Sequence, residues 1–332
     1  MNSTINNNII PEEWRIIKIV PLLKPTKNPN HYNSYRPLGM LSVILKLNNF
    51  IIKNRLTDYI NEKHIIPPYS FGFRKKTSSV NCVNTLLSHV HHNKREGNVV
   101  IATFLDLSKA FDNVNVGILL SILEQVDTPF VIINWIFNYL KKRKVVLKLN
   151  DGAKISSTTN KGLPQGCPLS PVLFNLYTIH IHKLSKNNNI IFQFADDFTA
   201  VVMGKNIDQA TAIMNSFLRD ITKAFDELDM QINVGKTASV IFTNKYHPHC
   251  NIQINNHYLD VKSYHKFLGI YLDHKLKFNT HIEITASKAR SKVNILKMLV
   301  KRKNGAHPRT MLRISKTIVQ SLIDNCSYYY KN

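Results

Sequence analysis

Two adjacent aspartates interrupt a strongly apolar stretch of the sequence. Residues 190–195 are apolar except for Gln193, Asp196 and Asp197 follow, and residues 198–202 form a second strand-like run. The pattern predicts a β-hairpin with both carboxylates at its tight turn. Two acids placed there repel each other and lose hydration, so the pair favours a positively charged partner. An ordinary turn accounts for one such aspartate more easily than for two.

A third aspartate, Asp106, directly follows the short β-branched run Val99–Leu105, which we predict to be a buried strand. If this strand pairs with the hairpin, Asp106 lies close to Asp196 and Asp197. Three oxygen donors suit a hard divalent cation, Mg²⁺ or Mn²⁺. Paired ions of this kind catalyse in-line phosphoryl or nucleotidyl transfer. The 90 residues between Asp106 and Asp196 (196 minus 106) leave the contact itself open.

A loop rich in glycine and proline lies between the acids, with the sequence KGLPQGCPLSP over residues 161–171. It precedes a helix-like stretch at residues 172–177. Glycine lets a backbone approach a ligand closely, and a helix start with free N–H groups favours phosphate or base contacts. Taken alone, the loop is described equally well as a connecting turn.

Charge and composition narrow the function classes. The 332 residues contain 44 Lys and Arg against 21 Asp and Glu, a net charge of +23, and 44% of them are hydrophobic. That apolar content excludes a disordered tail, and the absence of a run of about 18 apolar residues excludes a membrane-spanning protein. An excess of this size favours a polyanionic partner, most often nucleic acid. A basic but otherwise ordinary enzyme is the alternative.

The charge is unevenly distributed. Residues 250–332 hold 15 Lys and Arg and 4 Asp and Glu, which is +11 of the +23. This segment is a candidate nucleic-acid clamp, or else a set of solvated helix faces. The four cysteines lack the paired spacing of a zinc site, and the amino terminus lacks a signal-peptide layout. We therefore expect an intracellular protein with reduced thiols.

The remaining patterns indicate an α+β fold. Apolar residues at helical spacing predict helices over residues 43–60 and 207–228. Residues 144–149 and 153–159 flank Asn150-Asp151-Gly152, which predicts a second hairpin. Strands, hairpins and helices that do not alternate regularly are typical of α+β domains.

In order and spacing, these segments resemble the reverse transcriptases of non-LTR (LINE-type, jockey-like) retrotransposons. The resemblance runs from WRIIKIVPLLKP and SYRPLGMLSV through FGFRKKTSSV, FLDLSKAFDNV, GLPQGCPLSPVLFNLY, FADD and NVGKT to KFLGIYLD. It covers nearly the whole chain. A single one of these segments is a weak match, whereas the ordered set is highly specific.

The resemblance implies a right-hand polymerase, with fingers at residues 1–80 and a palm with an antiparallel sheet at residues 81–247, into which some fingers elements are interleaved. A primer grip and a basic helical thumb, either complete or truncated, would follow at residues 248–332. It implies RNA-directed DNA synthesis with two Mg²⁺ or Mn²⁺ ions. The partners would be an RNA template, a DNA primer or RNA–DNA hybrid, and dNTPs. No membrane is expected.

Individual residues carry implied roles. Asp106 and Asp196 would be the main metal ligands, assisted by Asp197 and the Leu107 carbonyl, and Lys236 would protonate the leaving pyrophosphate. Phe111 would exclude a ribose 2′-hydroxyl, or else is a core phenylalanine. The residues expected at the incoming dNTP are Lys24, Arg36, Phe111, Gln165 and Gly166. Those expected at nucleic acid are Arg74, Phe267, Leu268, Gly269, Lys301, Arg302 and Lys303.

Two further readings stay open beside an active polymerase. The chain could be a truncated, catalytically inactive nucleic-acid-binding remnant, or it could be an RNA-templated RNA polymerase or a group II intron maturase-like protein. FADD, and AFD after the first acid, favour the retrotransposon group. With Trp14 so near the start, we expect an endonuclease domain or partner elsewhere. The expected location is the nucleus, a cytoplasmic ribonucleoprotein, or both.

Overall fold

The computed structural model describes residues 10–25, 27–149, 152–244, 250–300 and 307–327. Within these ranges the α-helices are α1 (Val43–Glu62), α2 (Ser79–Arg95), α3 (Ala110–Asn113), α4 (Val116–Gln125), α5 (Phe130–Leu140), α6 (Ser170–Tyr177), α7 (Ile207–Glu227), α8 (Asn279–Val300), α9 (Pro308–Ser315) and α10 (Ser321–Ser327). Short 3₁₀ turns lie at Glu12–Arg15, Tyr32–Ser34 and Ile179–Leu184, and a π-helical turn lies at Lys316–Gln320.

The strands form four sheets. They are β1 (Ile16–Leu23), β2 (Tyr35–Met40), β3 (Val99–Leu105), β4 (Arg143–Lys148), β5 (Lys154–Thr159), β6 (Asn189–Phe194), β7 (Asp197–Gly204), β8 (Ala238–Phe242), β9 (Gln253–Ile254), β10 (His257–Tyr258), β11 (Asp260–Val261), β12 (Tyr264–Phe267) and β13 (Ile270–Asp273). The helices and strands together confirm the predicted α+β class.

A central five-stranded sheet has the order β11-β8-β3-β7-β6. β3 pairs antiparallel with both β7 and β8, so it is an interior strand of the sheet. Other side chains also cover both of its faces. Its residues alternate between two cores. Ile101 and Leu105 pack in a large cluster with α7, whereas Val100 and Phe104 pack in a second cluster with α2. This burial on both sides explains the continuous apolar run of β3.

A second sheet has the order β2-β1-β4-β5. β1 pairs antiparallel with β2 but parallel with β4, and β4 and β5 form a hairpin. The hairpin predicted around Asn150-Asp151-Gly152 is therefore present, although residues 150 and 151 lie outside the described part of the chain. The sheet joins two chain segments that are more than 100 residues apart in sequence.

The carboxyl-terminal part begins with the β12–β13 hairpin, whose Phe267 ring lies 5.3 Å from the Phe104 ring on β3. Helices α8, α9 and α10 follow, and α8 contacts both α9 and α10. Across the described ranges, none of the helices combines the length and hydropathy needed to cross a bilayer.

One buried side chain at the end of β6 makes three hydrogen bonds. Gln193 is fully buried, and its Nε2 donates to Thr178 Oγ1 at 2.9 Å and to the Ala195 carbonyl at 3.0 Å. Its Oε1 lies 2.9 Å from His182 Nε2. These bonds satisfy the one polar side chain of the apolar run at residues 190–195.

We predict that Gln193→Leu lowers the free energy of unfolding by about 2 kcal/mol, because it leaves His182 and Thr178 buried without this partner. Urea denaturation followed by circular dichroism measures the change. Gln253→Leu, at a half-buried strand position, is the matched control. Equal stability of the two variants would contradict the prediction.

Candidate active site

The hairpin predicted to carry the paired acids is present. β6 and β7 pair antiparallel with Phe194 opposite Asp197, so Ala195 and Asp196 form a two-residue turn. Ala195 has a φ of 59°, a left-handed conformation that is unfavourable for a residue with a Cβ atom. The turn therefore needs support from its surroundings.

Three residues support this turn, and two of them are distant from it in sequence. The Gln193 amide donates to the Ala195 carbonyl. Gly72 lies so close to the turn that a Cβ atom there would stand 2.2 Å from the Ala195 nitrogen. Asn175 Nδ2 in turn donates to the Gly72 carbonyl at 2.6 Å. The position of the acids is thus set by the segments FGFR and LFNLY as well as by FADD.

The sheet register brings the third acid to the same place. Leu105 pairs with Phe198 in the antiparallel β3–β7 ladder, so Asp106, the residue after β3, lies at the same end of the sheet as Asp197. The backbone of Asp106 is held by the turn after α7: its carbonyl accepts from Asn233 N at 2.7 Å, and its amide donates to Thr237 Oγ1 at 3.3 Å. The predicted pairing of the Val99–Leu105 strand with the hairpin is confirmed.

The three acids influence one another electrostatically. Partial burial, together with repulsion from Asp196 and then Asp106, raises the pKa of Asp197 to about 6. Asp196 and Asp197 still reach solvent at the turn. A raised carboxyl pKa at a point where like charges meet is typical of a functional site that binds a cation.

One cation lies beside these acids. Lys236 Nζ is 3.5 Å from Asp106 Oδ2, with both side chains well exposed to solvent. An exposed pair of this kind contributes about 0–1 kcal/mol, so it leaves most of the repulsion uncompensated. The resemblance predicted that Lys236 lies near a leaving pyrophosphate. In the structure its Nζ lies beside the Asp106 carboxylate.

Backbone geometry leaves one more oxygen donor available. Leu107 bridges to Ile232, but the two hydrogen bonds of this bridge are made by Ser108 N to the Gln231 carbonyl and by Asn233 N to the Asp106 carbonyl. The Leu107 carbonyl is therefore not used by the bridge. It can serve as a neutral ligand beside the carboxylates.

These oxygen donors suit a hard divalent cation because carboxylate and carbonyl oxygens are its preferred ligands. The carboxylates also repel one another, so a cation between them is favourable. In the described residues, however, no three acid, histidine or cysteine side chains stand close enough together to form a ready-made cage. A bound cation would offset the repulsion among the carboxylates. Asp106, Asp196, Asp197 and the Leu107 carbonyl are the groups that could hold it.

The residues predicted at the dNTP fall into two groups. Phe111 and Gln165 belong to two segments that pack together: Leu163 N donates to the Phe111 carbonyl at 2.7 Å, and Gln165 Nε2 donates to Asp112 Oδ1 at 3.2 Å. The Phe111 ring stacks on Phe174 with centroids 4.6 Å apart and is only partly buried.

The second group lies on the β2-β1-β4-β5 sheet. Lys24 follows β1 and donates to the Asn33 carbonyl at 3.0 Å, and Arg36 is an exposed residue of β2 opposite Leu22. This sheet is tied to the glycine-rich loop by Gly39 N, which donates to the Gln165 carbonyl at 2.8 Å. Gly166, at a φ of 100°, packs on the Gly39 carbonyl.

The residues predicted at nucleic acid are more scattered. Arg74 is half-buried, and its Nη1 donates to the Pro67 carbonyl at 3.2 Å. Leu268 and Gly269 form the tight turn of the β12–β13 hairpin, whereas Phe267 is buried in the second core. Lys301, Arg302 and Lys303 lie outside the described residues.

Sequence reasoning missed the residues that hold the acidic turn. Gly72 and Asn175 were read only as parts of longer segments, and their contacts with the turn are visible only in three dimensions. Gln193 did carry a signal, since it is the one polar residue in an apolar strand run.

Known proteins resemble this chain in sequence. The probable RNA-directed DNA polymerase from transposon BS of Drosophila melanogaster is 27% identical over 91% of this chain and 34% of the relative. The RNA-directed DNA polymerase from mobile element jockey of the same organism is 25% identical over 99% of this chain and 36% of the relative. The chain thus spans about a third of the length of these relatives. Their names confirm the jockey-like resemblance.

Solved structures and a family model agree with these relatives. Telomerase from Candida tropicalis in complex with a TWJ fragment of telomeric RNA superposes with a TM-score of 0.56, at 10% identity, over 97% of this chain and 55% of that one. The apo form of the same enzyme gives a TM-score of 0.56 at 12% identity over 97% of this chain and 60% of that one. Both show that the chain has the right-hand polymerase fold. Residues 24–272 match the family model of reverse transcriptases (RNA-dependent DNA polymerases). The chain therefore belongs to the reverse transcriptase family.

Proposed function

We propose that this chain is the polymerase core of a non-LTR retrotransposon and catalyses RNA-directed DNA synthesis. The observation that carries the proposal is the convergence of Asp106 with Asp196 and Asp197 in a chain that matches the reverse transcriptase family over residues 24–272. In the reaction, a primer 3′-hydroxyl attacks the α-phosphate of a dNTP, and pyrophosphate leaves.

Reverse transcriptases generally use divalent metal ions, and we propose that two Mg²⁺ or Mn²⁺ ions are held by Asp106, Asp196, Asp197 and the Leu107 carbonyl. Such ions supply a lowered pKa for the attacking hydroxyl and neutralise charge on the triphosphate. The protein contributes position: the β3–β7 register and the supported turn hold the carboxylates at one sheet end. This preorganisation reduces rearrangement during the reaction.

The cationic residues have complementary roles in this proposal. Lys236, 3.5 Å from Asp106, balances part of the acidic charge and can pass a proton to the leaving pyrophosphate. Lys24 and Arg36 lie at the same end of neighbouring strands, where they can meet the triphosphate. Phe111 bounds the space for the sugar.

We propose a division into fingers, palm and thumb that follows the sheets. The β2-β1-β4-β5 sheet belongs to the fingers, the five-stranded sheet to the palm, and α8, α9 and α10 to the thumb. The basic carboxyl-terminal segment would grip the backbone of an RNA–DNA hybrid, which requires cations more than base-reading groups. RNA template, DNA primer and dNTPs are the proposed partners.

We predict that Asp196→Asn reduces primer extension on an RNA template with dNTPs and Mg²⁺ by about 10³-fold or more, because it removes a carboxylate from the cation site. Asp226→Asn, on an exposed face of α7, is the matched control and should retain activity. Extension that persists in Asp196→Asn would contradict the metal-site assignment. Tight hybrid binding by a wild-type chain that extends no primer would instead favour the inactive remnant.

A second prediction concerns pH and stability. Since folding raises the pKa of Asp197 to about 6, the ionised carboxylate destabilises the folded state as the pH rises from about 4 through about 6. Without divalent cations, Asp197→Asn should therefore increase the free energy of unfolding at pH 7.5 by about 1 kcal/mol, a value kept small by solvent screening. The gain should vanish near pH 4.

Denaturation at both pH values, with and without Mg²⁺, measures this effect. Saturating Mg²⁺ should stabilise the wild-type chain more than Asp197→Asn, because only the former keeps all three carboxylates. A gain that is the same at pH 4 and pH 7.5 would show that repulsion among the acids is not its cause.

A third prediction concerns sugar selection. Phe111→Val should raise the efficiency of rNTP incorporation relative to dNTP by about 10-fold or more, because a smaller side chain leaves room for a 2′-hydroxyl. Single-nucleotide incorporation kinetics measure the ratio, with Phe137→Val on α5 as the aromatic control. Lower stability with unchanged sugar selection would make Phe111 a core residue that stacks on Phe174 and nothing more.

A further inference from the structure

Positive charge is concentrated in a second part of the chain besides the carboxyl-terminal segment. Between Asp127 and Asp196 the sequence holds nine Lys and Arg residues and one acid, Asp151, which leaves +8 (9 minus 1) of the net +23. Asp151 lies outside the described residues. The strands of the β2-β1-β4-β5 sheet contain six Lys and Arg residues and no acid. This sheet therefore carries more positive charge than the proposed reaction uses.

The strand register divides the side chains of this sheet between two faces. Ile17, Val145 and Thr159 lie on the face that covers the glycine-rich loop, because they line a cavity together with Gln165. Successive residues of a strand point to opposite faces, so the residues between them lie on the other face. Six of these are exposed and cationic or hydroxylic, and we call them the lysine face: Lys18, Lys144, Lys148, Lys154, Ser156 and Thr158.

Two members of the lysine face stand directly opposite each other. Lys148 on β4 is paired with Lys154 on β5. Like charges in this arrangement destabilise a sheet, and within the described residues neither lysine forms an ion pair with an acid. A cluster of one sign of charge attracts ions of the other sign, so a bound polyanion would relieve the repulsion.

The side chains around these lysines indicate which form of polyanion fits. Single-stranded nucleic acid is held by aromatic rings on which its bases stack, and β1, β4 and β5 contain no aromatic residue. A double helix keeps its bases stacked inside and presents phosphates and sugars, which cations and hydroxyls can contact without rings. A duplex therefore fits the lysine face better than an unpaired strand does.

The two hydroxyl side chains favour RNA over DNA. A serine or threonine hydroxyl both donates and accepts hydrogen bonds, and so does the 2′-hydroxyl of ribose. Double-stranded RNA is recognised mostly through its phosphates and 2′-hydroxyls. Along β5, Lys154, Ser156 and Thr158 follow one another at every second residue, about 7 Å apart, so they form one line of contacts.

We propose that the lysine face binds the backbone of double-helical RNA. The site lies outside the reaction proposed above and does not depend on it. It is on the opposite side of its sheet from the glycine-rich loop, and it uses none of the residues assigned to the cation, the dNTP or the RNA–DNA hybrid. A folded segment bound there would keep an RNA on the protein while an unpaired segment of the same RNA is copied.

The test measures binding of an RNA dumbbell, a duplex of about 16 base pairs closed by a loop at each end, so that no 3′ end can enter the palm. In fluorescence anisotropy, the full chain with Lys144→Gln, Lys148→Gln and Lys154→Gln should bind it about 10-fold more weakly than the wild type. The slope of log affinity against log salt concentration should become shallower by about 2, because fewer phosphates are neutralised.

The matched control removes the same charge elsewhere, with Lys183→Gln, Lys205→Gln and Lys223→Gln at exposed positions outside the sheet. It should bind the dumbbell as the wild-type chain does. Equal weakening in the two triple variants would show that only total charge matters and would overturn the proposal.

The identity of the polyanion is tested at the hydroxyls. Ser156→Ala with Thr158→Val should lower the preference for the RNA dumbbell over a DNA dumbbell of the same sequence by about 5-fold, with DNA binding unchanged. An unchanged preference would overturn the assignment to RNA. So would lysine-dependent binding that is tighter for an unpaired RNA than for the dumbbell, or lysine-dependent binding to vesicles of phosphatidylserine in place of RNA.

A further variant separates binding from folding. Lys148→Glu places an acid opposite Lys154, so it should raise the thermal midpoint without RNA and still weaken binding of the dumbbell. Wild-type affinity in this variant would overturn the proposal. Primer extension on an unstructured template should be unchanged in the variant that lacks Lys144, Lys148 and Lys154. Its absence from the wild-type chain would contradict only the proposed function.

Discussion

The pairing of β3 with β7 is the interaction on which the acidic site depends. Both strands are buried on both faces, so their side chains alternate between the two cores. A slip of one residue would exchange the two sets and move every side chain to the opposite core. The Leu105–Phe198 register is therefore fixed by packing along the whole strand, and Asp106 and Asp197 follow from it as the next residues at one sheet end.

The same constraint keeps three like charges together when nothing compensates them fully. Relaxation of the turn would relieve the repulsion, but the turn is held by Gly72, Asn175 and the buried Gln193. The left-handed Ala195 stores a further cost, of the order of 1 kcal/mol, that these contacts must offset. Burial first, and then repulsion from Asp196 and Asp106, raises the pKa of Asp197. A strained, charged turn on a rigid sheet is what a cation-binding site requires.

Local patterns in the sequence predicted much of this structure. The strand at Val99–Leu105, the hairpin with the paired acids, and the helices α1 and α7 were all visible, because hydrophobic periodicity reports local geometry. The parallel pairing of β1 with β4 was not, since it joins segments far apart in sequence. The resemblance to reverse transcriptases predicted that Asp106 lies near the hairpin. The spacing of these residues in the sequence left that contact open.

The support of the site was the part that sequence could not reveal. A glycine in FGFR is compatible with many turns, and only the 2.2 Å approach to Ala195 explains why a side chain is excluded there. Lys236 was assigned to the pyrophosphate from a short match, whereas its contact with Asp106 depends on how the turn at Asn233 docks on β3. Such contacts are tertiary, and no pattern within a single segment encodes them.

The glycine-rich loop ties the β2-β1-β4-β5 sheet to the segment that follows β3. Its Gln165 carbonyl is bound to β2, and its neighbours at residues 162 and 163 are bound to the segment after β3. A movement of the first sheet toward the five-stranded sheet must therefore carry the Gln165 backbone with it, while Asp112 holds the Gln165 side chain from the segment after β3.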